Sequence, residues 1–168
     1  IKVGDDSKRN MYKMTLPGRF FVQNFLRKAV DAECDVVILE ITSEAAKQFR
    51  HKFTYLNGLI FLNISHEHIE SHGGFDNYLA AKLSIGKELE KSKKEKRVMV
   101  ANNDDIHGKD FLNLKVPTTI PFSITDAKNI TLERDSSRFV FLDHTFNTSL
   151  IGRFNIYNII GCAFMAEA

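Results

Sequence analysis

The chain has no apolar run of the roughly 18 residues that a membrane-spanning helix requires. Its first residues, IKVGDDSKRN, also lack the apolar core of a secretory signal. The cytoplasm is therefore the expected compartment, with no membrane partner. Cysteine is scarce: Cys34 and Cys162 stand far apart, which gives no basis for a disulfide framework or a cysteine zinc site and predicts two packed thiols. An excess of one charge is missing too. With 23 basic and 21 acidic side chains and a net charge of +2, no nucleic-acid or anionic-membrane partner is expected. The densest basic run, KELEKSKKEKR (Lys87 to Arg97), is interleaved with acids and reads as the solvated face and tail of a helix. Neither GxxxxGK[ST] nor GxGxxG occurs, and Gly73-Gly74 precede a helical pattern without the lysine and hydroxyl of a P-loop, so the sequence holds no phosphate cradle of its own. Internal repeats and low-complexity segments are absent.

What is present is enough for one domain. A chain of 168 residues that is 43% hydrophobic can bury a proper core. It opens on Ile1 rather than a methionine and closes on MAEA within a helical pattern, which leads us to expect part of a longer polypeptide. Apolar residues from Phe20 to Val30 recur at helical spacing behind Pro17-Gly18 and predict a helix over 19–32. DVVILEI (Asp35 to Ile41), NGLIFLNI (Asn57 to Ile64) and RVMVANN (Arg97 to Asn103) are short, nearly continuous apolar runs, the pattern of parallel strands buried on both faces. Helices are predicted between them, over 43–50 with Ser43 as the cap and over 74–93. This alternation implies βαβ crossovers and a mostly parallel sheet. After Asp110, TTIPFSIT, NITLER and RFVFLDH show period-two alternation and predict an antiparallel extension. GRFNIYNIIGCAFMAEA returns to helical spacing. The expected fold class is α/β: a mostly parallel sheet flanked by helices, with a smaller antiparallel part.

In open α/β sheets ligands collect beyond the carboxyl ends of the strands. Glu40, Thr42 and Ser43 fall at the end of the first predicted strand. Asn63, His66, His68 and His72 follow the second, in HEHIESH, where three histidines and two glutamates share seven residues. A carboxylate buried at such an edge costs several kcal/mol unless a cation meets it, so Glu40 and one of the histidines could share a divalent ion. A zinc site is a competing reading, but His66 and His68 are two apart and need a third ligand. His51, His107 and His144 read as surface or hydrogen-bonded structural residues, and Glu44, Glu67 and Glu70 as solvated ones.

With Glu40, His68 and Lys82 in place, the chain resembles the central domain of the Mur ligases, P-loop-NTPase-like in fold, and within that family the MurE-type enzymes that add the third amino acid of the peptidoglycan stem. The resemblance is carried in order by MTLPGRF (Met14 to Phe20), LEITSEAAKQFR (Leu39 to Arg50), FLNISHEHIESHGGFDNYLAAK (Phe61 to Lys82), VANNDD (Val100 to Asp105) and LIGRFNIYN (Leu150 to Asn158). It implies an ATP-dependent amide ligase that passes through an acyl phosphate. Glu40 would hold a first magnesium ion and His68 a second, and Lys82 would carry a carbamate, an anion made favourable by neighbouring magnesium. Thr15, Thr42, Gln48 and Arg50 would contact the UDP-N-acetylmuramoyl-peptide, and Asn158, with Asn155 as companion, the adenine. The other partner would be an amino acid or diamino acid, whose identity the sequence does not specify.

The chain departs from the family pattern at several points. Glu44 stands where EVSSH has its histidine, Glu67 where NLSxDH has its aspartate, and Pro17 where a second threonine is usual. The family's P-loop and its UDP-binding and C-terminal domains are not among residues 1–168, so this portion alone is expected to be inactive. Alternatives are a folylpolyglutamate or cyanophycin synthetase relative, a non-catalytic nucleotide- or protein-binding domain of the same fold, and a zinc hydrolase.

Overall fold

The computed structural model describes residues 1–12, 14–65 and 69–168, apart from the side chains of Ile69 and Glu70. Along the chain these form β1 (Lys2–Val3), β2 (Asp6–Ser7), α1 (Arg19–Asp31), α2 (Ser43–Lys47), β3 (Gly58–Phe61), α3 (Ile69–His72), α4 (Phe75–Glu90) and β4 (Val98–Asn102). There follow α5 (Gly108–Leu112), β5 (Thr118–Phe122), a 3-10 turn (Ile124–Asp126), β6 (Lys128–Leu132), β7 (Ser137–Phe141), β8 (His144–Thr148) and α6 (Arg153–Glu167). Among the described residues no helix is long and apolar enough to cross a membrane. The chain divides into two compact units: Ile1–Tyr55 with His66–Glu88, and Leu56–Ser65 with Leu89–Ala168.

The second unit holds the parallel sheet, in the order β3-β4-β5. Gly58 pairs with Val98 and Val98 with Thr118, both ladders parallel. β4 is central and buried along its whole length, which explains the unbroken apolar character of VMVAN. β5 corrects the expectation for TTIPFSIT, which joins the parallel sheet rather than the antiparallel part. Alternation of two cannot distinguish the two kinds of ladder, and a half-exposed edge strand of a parallel sheet, here with Pro121, shows it as well. The short α5 that makes this crossover has too few residues to give a periodic signal.

NITLER and RFVFLDH do form antiparallel strands, with β8 added beside them in the order β6-β7-β8. The β7–β8 hairpin turns through Leu142 and Asp143, both at positive φ (48° and 59°), the sense that suits the twist of a two-residue loop. Phe139 pairs with Phe146 across this hairpin, their rings stacked at 5.1 Å. The core gathers Val98, Val100, Phe122, Phe139, Ile156 and Ile160. At Gly161 of α6, a Cβ would lie 3.1 Å from Phe122 Cζ and 3.2 Å from Ile60 Cγ2, so glycine lets the helix lie close to the sheet.

In the first unit α1 matches its predicted span closely. Leu16, Val22 and Ala45 form a core with Leu26, Leu39 and Ile41. The cap of α2 is Thr42 rather than Ser43: the Thr42 hydroxyl accepts from the Ala45 amide at 3.2 Å, while Ser43 is buried. The helix stops early because Phe49 adopts a positive φ of 54°.

The larger correction concerns DVVILEI. Residues 36–41 lie in no strand, and Val36 and Ile38 are 74% and 88% exposed. Leu39 and Ile41 turn inward while Ile38 and Glu40 turn outward, so the side chains still alternate. A β-branched run becomes a strand only when a neighbour supplies the other half of its ladder, and among the described residues none does. Both cysteines are free, Cys34 half-buried and Cys162 exposed, so only the first approaches a packed thiol.

Candidate functional site

In the first unit a cleft of about 770 Å³ runs between α1 and the extended residues 36–40. Thr15, Leu16, Pro17 and Glu40 all form part of its wall. The structure thus brings Thr15 and Glu40, 25 positions apart in the chain, to one cavity. Both side chains are exposed to it rather than buried, so Glu40 needs no cationic partner to offset a desolvation cost.

Arg50 joins the same region. Its Nη1 donates to the Leu16 carbonyl at 2.9 Å, directly after Thr15, and its Nε donates to Gln48 Oε1 at 3.0 Å. Gln48 Nε2 in turn donates to Glu44 Oε1 at 2.7 Å. Gln48 and Arg50 are therefore one preorganised hydrogen-bonded unit at the end of α2, with Thr42 capping its start. Held by Leu16 and Gln48, the guanidinium plane of Arg50 keeps one orientation.

Lys82 lies on α4, half-buried, its Nζ 5.5 Å from the centre of the Tyr78 ring. Tyr78 is buried and its ring centre lies 5.2 Å from that of His72. His72 Nε2 is 3.2 Å from Ser43 Oγ and 3.9 Å from Glu44 Oε2. A continuous series of contacts, Lys82–Tyr78–His72–Ser43, thus ties α4 to the segment that follows Glu40. Lys47 Nζ adds a second tie by donating to the Ser71 carbonyl. Sequence reading missed the parts of Ser43 and Tyr78 in this series; only the distance from α2 to α3 in space could have revealed them.

The histidine cluster is resolved in part. His72 is 6% exposed and turned toward Ser43, so it does not emerge at a sheet edge as expected. His66, Glu67 and His68, the last being the expected second metal ligand, lie outside the described residues. His51 is only 2% exposed, which makes it a buried structural residue rather than a surface one. Burial pushes its imidazole below the ordinary value, with the help of Lys52 and against the opposing pull of the Glu88 carboxylate and a hydrogen bond to the Ala45 backbone. Among the described residues no group of three His, Cys, Asp or Glu side chains is gathered to hold a metal. The donors present nonetheless suit magnesium in kind. Glu40 offers carboxylate oxygen on an open cleft where a hydrated ion would keep its waters, and Glu44 Oε2, which accepts no hydrogen bond from the described residues, lies nearby in the chain.

The second unit presents its own polar cluster where β3 and β4 end. A cavity of about 280 Å³ there is walled by Asn63, Asn102, Asp104, Asp105, Phe154 and Tyr157, with Leu62. Asn102 Nδ2 donates to the Leu62 carbonyl at 2.8 Å, and its Oδ1 accepts from the Asp104 amide at 3.0 Å. Asp105 accepts from the Ile64 and His107 amides, each at 2.9 Å. Burial raises the Asp104 carboxyl, but hydrogen bonds from the Ile124 amide, Ser123 and Tyr157 outweigh it and hold the group below its usual range. Asn155 and Asn158 stand on α6 beside this cluster, Asn158 Nδ2 donating to Asn155 Oδ1 at 3.3 Å and Asn155 Nδ2 to the Ile151 carbonyl at 2.8 Å. The two expected nucleotide-contacting residues are thus together, in a different unit from Glu40 and Lys82.

The family profile of the Mur ligase middle domain matches residues 2–166. The chain belongs to the Mur ligase middle-domain family. It is 30% identical over 171 aligned positions to the UDP-N-acetylmuramyl-tripeptide synthetase of Borreliella burgdorferi, covering 95% of this chain and 33% of that protein. It is 26% identical to the UDP-N-acetylmuramoyl-L-alanyl-D-glutamate--2,6-diaminopimelate ligase of Geobacter sulfurreducens, covering 87% of this chain and 31% of that one. This Mur ligase middle domain therefore spans about a third of the length of the curated relatives it matches. Among solved structures, a UDP-N-acetylmuramoyl-L-alanyl-D-glutamate--2,6-diaminopimelate ligase superposes with a TM-score of 0.74 at 22% identity, over 90% of this chain and 33% of that one. MurF from Acinetobacter baumannii follows with a TM-score of 0.56 at 20% identity, over 68% of this chain and 26% of that one. These likenesses establish the α/β fold with its parallel sheet and antiparallel extension.

Proposed function

We propose that this Mur ligase middle domain belongs to a cytoplasmic, ATP-dependent ligase that adds an amino acid to UDP-N-acetylmuramoyl-dipeptide through an acyl phosphate. The observation that carries the reading is the arrangement of the first unit. Thr15 and Glu40 share one cleft, Arg50 is bonded to the carbonyl next to Thr15, and Lys82 is tied through Tyr78 and His72 to Ser43. Thr15, Thr42, Gln48 and Arg50 bind and orient the anionic muramoyl-peptide. Glu40 and His68 would supply protein ligands for two magnesium ions, and Lys82, as its carbamate, would supply a further anionic oxygen. Magnesium held there would supply positive charge to the phosphoryl group. Asn155 and Asn158 hold the adenine.

Flanking parts of the same polypeptide, proposed to carry the phosphate loop, a UDP-binding domain and an amino-acid-selecting domain, complete the site. The bare edge at Val36–Ile41 and the coverage of a third of each relative support this. The test is magnesium-dependent phosphate release by the whole polypeptide, given UDP-muramoyl-dipeptide and either diaminopimelate, lysine or another amino acid. Release that requires both the nucleotide-sugar peptide and one amino acid is expected. Failure with every amino acid, despite intact folding, would sink the ligase reading.

A further inference from the structure

α6 carries the two asparagines of the proposed nucleotide site, yet its sequence leaves its rotation poorly specified. Apolar residues surround most of the helix: besides the buried Ile156 and Ile160, the residues Ile159, Ala163, Phe164 and Met165 all pack on the core. A helix with one apolar stripe is oriented by that stripe, whereas one that is apolar over most of its circumference is held at depth but not at a single angle. The close approach at Gly161 narrows the range of angles, and directional bonds select one within it. Tyr157 supplies one such bond. Its hydroxyl donates to Asp104 Oδ2 at 2.8 Å.

The acceptor is itself anchored. The same oxygen takes the Ile124 amide at 2.8 Å and Ser123 Oγ at 3.0 Å, and the Asp104 amide is held by Asn102. Ser123 and Asp126 close a reciprocal capping box on the 3-10 turn, so the donors on that side are fixed as well. Tyr157 sits between Asn155 and Asn158 in the chain, and those two, three positions apart, share a face about 60° wide. Turning the helix by even a fraction of that angle would carry both amides away from their positions.

We infer that Tyr157, bonded to Asp104, is a positioning residue that sets the rotation of α6 and thereby aims Asn155 and Asn158 at the nucleotide. The inference rests on the reading of those asparagines as nucleotide contacts. It is tested in the whole polypeptide with Tyr157→Phe, which removes one hydroxyl and leaves the ring, and with Asp104→Asn as the second variant. Losing one charge-assisted hydrogen bond is expected to raise the KM for Mg-ATP about tenfold. The KM values for the muramoyl-dipeptide and the amino acid, and the melting temperature, should stay near those of the parent. Tyr157→Phe added to the pair Asn155→Ala and Asn158→Ala should raise the KM for Mg-ATP little beyond that pair alone, since it acts through those two amides. If Asn158→Ala raises that KM while Tyr157→Phe does not, or if Tyr157→Phe raises all three KM values together with a lowered melting temperature, the positioning role is overturned. If Asn158→Ala itself leaves the KM for Mg-ATP unchanged, the nucleotide reading of α6 falls, and the inference with it.

Discussion

The two units solve the same problem with different completeness. In the second, β4 is covered on both faces, its ladder is filled on both sides, and the large core side chains Phe122, Phe139, Ile156 and Ile160 are almost fully withdrawn from solvent. In the first, an equally apolar run, Val36–Ile41, has one face packed on Leu16 and Val22 and the other open, with no ladder among the described residues. The chemistry follows the same division. Asp104 and Asp105 of the second unit are occupied by amides and hydroxyls, whereas Glu40 stands exposed at the wall of a large cleft. A saturated polar network holds its own backbone in shape; an unsaturated one is available to a ligand.

The sharpest way to break this comparison is to remove Lys82. In the whole polypeptide, Lys82→Ala should lower ligation by about a thousandfold or more, the scale of losing a charge-bearing group from a phosphoryl-transfer site. Its melting temperature should stay near that of the parent, and high bicarbonate should partly restore variants that retain the lysine but carbamylate poorly. Normal turnover by Lys82→Ala would remove the carbamate assignment.

A second test sets the two apolar runs against each other. Phe139→Ala, in the filled core, should cost about 3–5 kcal/mol in urea unfolding. Ile38→Thr should change stability by less than about 0.5 kcal/mol in the 168-residue chain. In the whole polypeptide the same Ile38→Thr is expected to cost about 1–2 kcal/mol, because a covered isoleucine loses its burial energy. An equally small effect in both contexts would mean that the run stays bare.

The smallest effect concerns pH. His51 is buried and its folded-state pKa lies below its ordinary value of 6.5, so the unfolded chain takes up a proton more readily. Its contribution to stability is complete above the unfolded value and is lost as pH falls from there toward the folded one. The slope is at most about 1.4 kcal/mol per pH unit for one proton. Urea midpoints measured from about pH 8 to 5 should therefore decline more steeply in the parent than in His51→Phe. Parallel curves would show that His51 titrates alike in both states.

Much of the second unit was legible because its signals are local. VMVAN announces a fully buried strand by its unbroken apolar run, and α1 and α4 announce themselves by spacing. β8 was not legible, since HTFNT contains a single apolar residue, and neither was the direction of β5, since alternation reports which face is buried and not which strand lies alongside. The site divides in the same manner. The proposed site residues Thr15, Glu40, Gln48, Arg50, Lys82, Asn155 and Asn158 were named from motifs, as was the resemblance to the family, which the family profile bears out. The network of Ser43, Tyr78 and His72, the hold of Asp104 on Tyr157, and the burial of His51 could not.

The sequence by itself determined that α1, α4 and α6 are helical and that β3 and β4 are strands, which residues carry charge or a ligating atom, and the family to which the chain belongs. Those properties depend on residues near one another in the chain. Only the tertiary structure decided that Val36–Ile41 pairs with no described strand, that Thr42 and not Ser43 caps α2, and that Asp104 meets Tyr157 from 53 positions away. A ladder, a buried hydrogen bond or a shared cavity each needs a partner brought through space, and the pattern along the chain says what a residue can offer without naming what it will meet.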